Sequence, residues 1–220
     1  MFNKFINNLN PQSLASRMRQ TRLAFFYSLL PDLDSKVHIL DVGGSEYIWR
    51  STKLPEGKDI EITLLNLNKI PTSSSRYVSI AGDAKDIQFP DSHFDVVFSN
   101  SVIEHMGSFE DQQKMARECM RVGRRYFIQT PNKYFPIEPH FLFPMYQFLP
   151  NIIQVWLIQN FKLGWINKTP NKIEAIKLIA SIRLLDRTKF EMLFPGSNIF
   201  EEKFLGLTKS FVAYGGWEIN

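Results

Sequence analysis

One short segment, residues 37–45, constrains the fold of this chain more than any other. It reads Val-His-Ile-Leu-Asp-Val-Gly-Gly-Ser, an apolar run that ends in Asp41 and the pair Gly43 and Gly44. An apolar run of this length bounded by glycine is typical of a buried β-strand. Paired glycines let the backbone turn sharply and let a ligand approach the main chain. Because open α/β sheets bind ligands at the carboxyl ends of their strands, the segment predicts a nucleotide-like cofactor site at Asp41.

Strand and helix patterns alternate along the chain after this segment. The strand candidates are residues 37–42, 60–66, 76–81, 94–99 and 125–130, with a helical pattern over 108–122. Such alternation is typical of a parallel sheet covered by helices on both faces. Two further strand candidates, 198–206 and 210–215, are too close in sequence for a parallel crossover, so they must pair antiparallel. We therefore expect an α/β fold with a doubly wound, seven-stranded sheet, mostly parallel with a C-terminal antiparallel hairpin.

Length and composition restrict the class of protein. A chain of 220 residues fits one large domain, or one domain with an elaborated insertion. The net charge of +4 comes from scattered Lys and Arg, so we expect no nucleic-acid partner. The single cysteine, Cys119, excludes an intramolecular disulfide and favours a reducing compartment. Neither a spanning apolar stretch nor the apolar core of a secretory signal is recognisable, so the sequence predicts a cytoplasmic protein.

The N-terminal segment, residues 1–34, is predicted to form a helical cap before a main domain at 35–220. The apolar positions of its helical pattern, over residues 12–29, are Leu14, Met18, Phe25 and Leu29. Its basic residues are Lys4, Arg17, Arg19 and Arg22, and no acid precedes Asp32. A basic amphipathic helix can pack on the main domain or contact the inner face of an anionic membrane, and both interpretations stay open.

Residues 134–168 form an insertion that is much richer in aromatic residues than the rest of the chain. Pro136, Pro139, Pro144 and Pro150 exclude a regular helix from its first half. From 151 to 163 the sequence is helix-like and apolar on nearly every side, as in a buried or lipid-contacting element, but it is too short to span a bilayer. We expect the insertion to form the wall or lid of a site for an apolar acceptor; the alternative is an ordinary core between helix and sheet.

A dinucleotide cofactor is disfavoured by the residues that follow Asp41. The dinucleotide fingerprint needs a third glycine for close packing of helix on strand. Residues 43–48 supply two glycines followed by bulky side chains, and Glu46 would repel a pyrophosphate. A sulfonium cofactor carries no phosphate and has a zwitterionic amino-acid end, which an acidic strand end and a glycine turn suit better.

Four motifs, in order, resemble the class I S-adenosylmethionine-dependent methyltransferases, particularly the small-molecule group related to the quinone-biosynthesis methyltransferases. They are ILDVGG at 39–44, GDA at 82–84 followed by FP at 89–90, FDVVFSN at 94–100 followed by IEH at 103–105, and KSFVAY at 209–214. The resemblance covers about residues 35 to 215. It implies a Rossmann-like fold and S-adenosylmethionine as the cofactor.

The resemblance also implies which residues bind each part of the cofactor. At the methionine end, Asp41, Gly43 and Gly44 would lie against the amino-acid moiety. Asn100 and Ser101, after the fourth strand, would line the methyl-transfer face.

The ribose and adenine positions carry a departure from the family. Asn66 stands where the family usually has an acid that binds the ribose hydroxyls, and an amide can bind them only without charge-assisted strength. Asp83 would accept from the adenine amino group, with the backbone N–H of Ala84 beside the ring. The alternatives are a plain loop residue at Asn66 and a turn or cap residue at Asp83.

Two histidines are the catalytic candidates. Methyl transfer is an in-line displacement that depends mainly on bringing nucleophile and methyl together. A hydroxyl nucleophile also needs a base, and histidine titrates near neutral pH. His140, in a proline-rich loop with Glu138 as its orienting partner, is predicted to act as that base or to contact the substrate. His105 is the second candidate, because its position often borders the active site in the resembling enzymes; a structural role for both histidines stays open.

The sequence thus predicts methyl transfer from S-adenosylmethionine to a small or lipid- or glycan-linked acceptor. Oxygen is favoured over nitrogen because Thr130-Pro131-Asn132 replaces the Asp/Asn-Pro-Pro-aromatic tetrapeptide of amino-methylating enzymes. No predicted helix carries a metal-ligand spacing, so we expect no metal. The alternative is an inactive methyltransferase-like subunit that acts through partner or membrane contact, favoured by Asn66 and the apolar segment 151–163. A nicotinamide oxidoreductase ranks third.

Overall fold

A computed structural model describes residues 14–30, 36–50 and 59–217. The strands are β1 (Lys36–Val42), β2 (Asp59–Asn66), β3 (Tyr77–Ala81), β4 (Val96–Asn100), β5 (Tyr126–Pro131), β6 (Ile137–Glu138), β7 (Phe143–Pro144), β8 (Asn198–Phe204) and β9 (Leu207–Gly215). The helices are α1 (Leu14–Ser28), α2 (Glu46–Arg50), α3 (Phe109–Val122), α4 (Asn151–Asn160), α5 (Lys172–Ala180) and α6 (Arg187–Leu193), with 3₁₀ turns at Ile103–His105 and Tyr146–Phe148. Lys4 and much of the predicted 1–34 cap, residues 1–13 and 31–34, lie outside the described residues.

The main sheet has seven strands in the order β3-β2-β1-β4-β5-β9-β8. β1 pairs in parallel with β2 on one side and with β4 on the other, and β2 pairs in parallel with β3. Only Leu205 and Gly206 separate β8 from β9, so these neighbours run antiparallel. The predicted doubly wound sheet with its C-terminal hairpin is confirmed. The strand order reverses between β1 and β4, and such a switch point is where this fold class binds ligands.

The two strands at the switch point are buried along almost their whole length. Val37, Ile39, Leu40 and Val42 of β1 are buried, as are Val96, Val97 and Phe98 of β4. A strand covered on both faces has a continuous apolar run instead of alternation. This explains why the sequence pattern located β1 and β4 to within two residues.

The chain divides into two compact units. Unit one comprises the described parts of Met1–Asn100, Glu118–Ile128 and Tyr214–Asn220, and unit two comprises Ser101–Arg117 and Gln129–Ala213. An aromatic cluster holds unit one together: the ring of Phe26 lies 5.1 Å from those of Phe98 and Phe127, and Trp49 lies 5.0 Å from Phe98. Each such pair stabilises the fold by about 0.5–1.5 kcal/mol beyond its area burial.

Helix α1 forms where the sequence predicts it, but it buries a different face. The predicted apolar positions Met18, Phe25 and Leu29 are only half-buried. The residues that it buries are Leu23 and Phe26, together with Ser16 and Arg22, and Leu30, just after the helix, is buried as well. Leu23, Phe26 and Leu30 also follow helical spacing, so periodicity alone offered two faces. Packing of Phe26 on Phe98 and Phe127 selects the second.

Unit two has a separate apolar core beneath α4 and α5. Its buried members are Phe141, Tyr146, Val155, Ile158 and Ala175. As the prolines predict, residues 134–150 contain no α-helix; they form the small β6–β7 sheet and a 3₁₀ turn. Of the two alternatives for segment 151–163, a wholly buried element is not what the structure shows, because Ile152 and Trp156 are 79% and 54% exposed; a lipid-contacting element stays a prediction. Among the described residues, no helix is long and apolar enough to cross a bilayer.

Candidate cofactor and catalytic sites

Asp41 carries a fully buried carboxylate near the end of β1. The indole N–H of Trp49 donates to Asp41 Oδ2 at 2.7 Å. Oδ1 has no hydrogen-bond partner among the described residues. Burial raises the pKa of this carboxyl to about 7, although the hydrogen bond from Trp49 acts in the opposite direction. A buried acceptor atom with no partner in the described part of the chain, at the switch point of the sheet, suits a cationic group on a ligand.

The glycine pair makes the turn from β1 to α2. Gly43 adopts a left-handed φ of 73°, and its N–H donates to the carbonyl of Leu65 at 2.8 Å. A Cβ on Gly44 would lie 1.7 Å from Asp41 Oδ2. The Asp41 carboxylate therefore packs directly against Gly44, which is possible because glycine has no Cβ. A larger residue at position 44 would displace this carboxylate.

Asn66, at the end of β2, makes a hydrogen bond that an acid at this position could not make. Its side-chain amide donates to the carbonyl of Gly44 at 3.0 Å, which ties the end of β2 to the glycine turn. A carboxylate at this position has no proton to donate and would face that carbonyl oxygen directly. The Asn66 backbone carbonyl accepts from the N–H of Gly82 at 2.8 Å, which also holds the end of β3.

Asp83 is engaged in its own turn. Oδ1 accepts from the Lys85 N–H at 2.9 Å, and Oδ2 lies 3.7 Å from Lys85 Nζ. An aspartate whose side chain accepts from the backbone N–H two residues later is typical of a turn. Ala84, the next residue, is almost completely buried.

Arg22 lies at the carboxyl end of β4, where the sequence predicts cofactor-binding residues, but the sequence did not single it out as one of them. It projects from α1, is almost fully buried, and its guanidinium donates to Asn100 Oδ1 at the end of β4. Arg19, one turn earlier, lies with its guanidinium 6.0 Å from the ring centre of Tyr47, just after the glycine turn. Burial, and then the charge of Arg22, lower the pKa of Arg19. Two guanidiniums of α1 therefore contact residues of unit one.

Ser101 begins unit two in a strained conformation. Its φ of 57° is left-handed, which costs a non-glycine residue on the order of 1 kcal/mol or more. Two hydrogen bonds to Gln129 hold it there: the N–H donates to the carbonyl at 3.1 Å and Oγ donates to Oε1 at 2.9 Å. Strain maintained in this way is a feature of functional sites.

Glu138, His140 and His105 form one hydrogen-bonded chain in unit two. Glu138 Oε1 lies 2.7 Å from His140 Nδ1, and Glu138 Oε2 accepts from the N–H groups of His140 and Phe141, both at 2.7 Å. His140 Nε2 lies 3.1 Å from His105 Nε2. The predicted orienting role of Glu138 thus corresponds to an observed contact. The pairing of the two histidines was not predicted.

The two histidines differ in their affinity for a proton. Burial, and then the neighbouring His140, lower the pKa of His105 to about 4. Burial would also lower the pKa of His140, but the hydrogen bond and charge of Glu138, with the charge of Glu104, outweigh it and raise that pKa above 6.5. A proton taken up by the pair therefore resides on His140, with His105 as its neutral neighbour.

Glu104 is a second residue that sequence reasoning missed. It is fully buried and accepts from Thr130 Oγ1 at 3.2 Å. Glu104, His105 and His140 each place a ligand atom within 4.8 Å of the others, a loose spacing for a cation. Since the histidine nitrogens already lie within hydrogen-bond distance of each other, we call the chain Glu138–His140–His105 the candidate proton relay, and Glu104 adds a negative charge near it. No helical spacing could reveal it, because its members come from a 3₁₀ turn and a separate loop.

Comparison with known proteins agrees with this architecture. A family model described as a methyltransferase domain matches residues 56–126. No curated protein matches the chain in sequence. Similar solved structures include an S-adenosylmethionine-dependent methyltransferase from Methanosarcina mazei (11% identity, TM-score 0.52, covering 87% of this chain and 95% of that one). Another is a Pyrococcus horikoshii protein (14%, 0.54, 97% and 95%). A third is 1,6-didemethyltoxoflavin-N1-methyltransferase from Burkholderia thailandensis, with bound 1,6-didemethyltoxoflavin and S-adenosylhomocysteine (10%, 0.52, 90% and 76%).

The structural likenesses, at such low identity, define the fold, and the matched methyltransferase domain covers about a third of the chain. Both findings are consistent with a class I S-adenosylmethionine-dependent methyltransferase. S-adenosylmethionine is the cofactor of that class. The residues of unit one fit this molecule, because Asp41 offers a buried acceptor atom for its ammonium group and Arg22 brings a guanidinium to the end of β4.

Proposed function

We propose that the chain methylates a hydroxyl group of a small or lipid- or glycan-linked acceptor. The observation that carries this proposal is the Glu138–His140–His105 chain, because a hydroxyl nucleophile needs a proton acceptor and a carboxylate-oriented histidine is a suitable one. When bound, S-adenosylmethionine supplies an electrophilic methyl group, and its sulfur keeps the electron pair of the broken carbon–sulfur bond.

The residues of unit one would hold the cofactor. Asp41 Oδ1 would accept from the ammonium group, and Arg22 would pair with the carboxylate of the methionine end. Asn66 Oδ1 would accept from a ribose hydroxyl while its amide stays on the Gly44 carbonyl. Asp83 and Ala84 would meet the adenine, provided that Asp83 exchanges its Lys85 contact for the amino group. Asn100 and the glycine pair complete the predicted cofactor set within unit one; Ser101, which the sequence also predicts, belongs to unit two.

The residues of unit two would remove the proton. The exposed His105 would accept the hydroxyl proton on Nδ1 while its Nε2–H passes to His140 Nε2. Glu138 holds the other side of the His140 ring, so it stabilises the imidazolium that results. The acceptor oxygen then bonds to the methyl carbon, and the proton lost from the hydroxyl resides on His140. The low pKa of His105 suits a group that passes a proton on and does not retain it.

Methyl transfer to paired alcohol and amine acceptors tests this proposal. The full chain would be incubated with radiolabelled S-adenosylmethionine and small aromatic, sugar and prenyl acceptors. We expect transfer to hydroxyl compounds, a loss of about 10²-fold or more in the His140→Gln variant, and normal cofactor binding by that variant. Transfer to amines alone, or an unaffected His140→Gln rate, would refute O-methylation with this base.

Membrane contact is a second proposal, supported by the exposed surface of segment 151–177. Ile152, Ile153, Trp156, Phe161 and Trp165 are exposed apolar residues on it. Four exposed lysines lie in the same segment, at positions 162, 168, 172 and 177, against the single acid Glu174. Interfacial tryptophans and lysines are the combination that binds anionic bilayers. We propose peripheral contact through this segment, with residues 1–34 as a cap and 134–168 as a substrate-side insertion.

Vesicle flotation distinguishes this contact from the alternative of an enzyme that does not touch the bilayer. The chain should float with vesicles rich in phosphatidylglycerol and not with phosphatidylcholine alone. Trp156→Ala should reduce flotation, whereas Leu67→Ser, at an exposed apolar residue of unit one, should not. Equal loss in both variants would contradict the proposal. Flotation and cofactor binding without any turnover would instead favour an inactive methyltransferase-like subunit.

A further inference from the structure

A cavity in unit two lies beside the proton relay. Its volume is about 300 Å³, at the small end of the range for ligand sites. Phe141, Tyr146, Ile179 and Ile182 supply its apolar walls, and Glu138 also lines it. Glu138 is thus both a wall of the cavity and the partner of His140. A molecule in this cavity would therefore contact the carboxylate that orients the candidate base.

Three cations converge on the same cavity. They are Lys133, Arg183 and Lys189. None of them forms an ion pair with a carboxylate among the residues that the structure describes; Arg183 Nε donates to the carbonyl of Gly107 at 3.0 Å, and Lys133 Nζ lies 5.8 Å from the ring centre of Tyr134. This contrasts with Arg121 and Arg187, each of which pairs with two acids.

Glu138, the one carboxylate among the described residues that line the cavity, does not neutralise these cations. Both oxygens of Glu138 are already engaged, Oε1 with the His140 ring and Oε2 with two backbone N–H groups. Lysine and arginine side chains that line a partly apolar cavity, with no ion-paired acid among the described residues, are the donor set for an anion.

We propose that this cavity binds the acceptor through a phosphate ester, with the organic part against Phe141 and Tyr146. This inference rests on the proposed function, since it names the acceptor class of the same reaction. The phosphate lies with Lys133 and Lys189, and the hydroxyl to be methylated belongs to the organic part. A phosphate ester of this kind is either a soluble metabolite or the head of a lipid-linked molecule.

Calorimetric titration of the full chain with phenyl phosphate, phenol, octyl phosphate and inorganic phosphate tests the proposal. Phenyl phosphate should bind at least about tenfold more tightly than phenol, as expected for charge-assisted contacts. Stronger binding of octyl phosphate, below its micellar concentration, would identify a lipid-linked source, and stronger binding of phenyl phosphate a soluble one. Equal binding of phenol and phenyl phosphate, or of inorganic phosphate and both esters, would overturn the proposal.

Matched variants locate the bound phosphate. Lys133→Met with Lys189→Met should weaken phenyl phosphate binding about tenfold or more, whereas Lys203→Met, at an exposed lysine outside the cavity, should leave it unchanged. An unaffected double variant would place the phosphate elsewhere and refute the assignment. Far-ultraviolet circular dichroism confirms that each variant is folded. S-adenosylhomocysteine is titrated in parallel. If S-adenosylhomocysteine binds and phenyl phosphate does not, only the proposal of a phosphate-ester acceptor is refuted. If S-adenosylhomocysteine does not bind, the proposed methyl transfer is refuted as well.

Discussion

Replacing Asp41 with asparagine should stabilise the chain at alkaline pH. The buried carboxyl has a pKa of about 7 in the folded chain against 3.8 ordinarily, so between these values the folded state retains a proton that the unfolded state releases. The contribution of Asp41 to the free energy of unfolding is therefore most favourable below pH 4, falls as pH rises toward 7, and stays low above 7. The difference of about three units corresponds to about 4 kcal/mol when the group is fully ionised. The side-chain carbonyl of the asparagine would still accept from Trp49, and the amide carries no charge.

Urea unfolding at pH 5 and pH 8 measures this effect. The quantity to compare is the free energy of unfolding of Asp41→Asn minus that of the parent chain. Linkage predicts that this difference is about 2.5 kcal/mol larger at pH 8 than at pH 5. Glu110→Gln, at a surface carboxylate that pairs with Lys114, is the control and should show no such change. A difference between Asp41→Asn and the parent that is the same at both pH values would refute the argument that Asp41 bears a buried, poorly compensated charge. The variant should nevertheless bind S-adenosylhomocysteine more weakly at pH 8, because the ammonium loses its ionised partner.

Three further changes test other parts of the site. Gly44→Ala should destabilise the chain by about 2–4 kcal/mol in thermal or urea unfolding, since its Cβ would overlap the Asp41 carboxylate; an unchanged midpoint would contradict that packing. Asn66→Asp should weaken S-adenosylhomocysteine binding in calorimetry despite restoring the family's acid, because the amide donor to the Gly44 carbonyl is lost; tighter binding would show that ribose contact dominates. The methyl-transfer rate should rise with pH through a pKa above 6.5, as His140 loses its proton, and Glu138→Gln should move this limb of the pH–rate profile to lower pH; an unshifted limb would exclude Glu138 as the positioning residue.

The fold was predictable because its signals are local. β1 and β4 are continuous apolar runs, the glycine pair marks a turn, and the C-terminal strands are too close in sequence for a parallel crossover. The buried face of α1 was not predictable in the same way. Two helical stripes have similar spacing, and only the ring of Phe26 between Phe98 and Phe127 selects one of them.

The candidate site was predictable residue by residue but not as a set of contacts. Their positions at or after the carboxyl ends of predicted strands indicated that four residues belong to the site: Asp41, Asn66, Asn100 and His140. No pattern could show that Arg22 reaches Asn100 from 78 positions away, or that His105 meets His140 across 35 positions. Such pairings depend on tertiary packing, which local sequence does not encode.

Packing also explains the departure from the family at Asn66. Judged from sequence alone, an amide in place of an acid suggests weakened ribose binding. The structure adds a second function for the side chain, because a hydrogen-bond donor is needed at the Gly44 carbonyl and an acid has none to offer. The residue type therefore reflects the glycine turn as well as the cofactor.

Binding of S-adenosylhomocysteine to the end of β1 tests the account most directly. Calorimetric titration of the full chain should show one site per chain, with a dissociation constant between about 1 μM and 1 mM. Arg22→Met should weaken this binding about tenfold or more, whereas Arg17→Met, at an exposed arginine of the same helix, should not. Absence of binding up to millimolar ligand, or equal binding by the parent chain and Arg22→Met, would contradict the assignment of this strand end as the cofactor site.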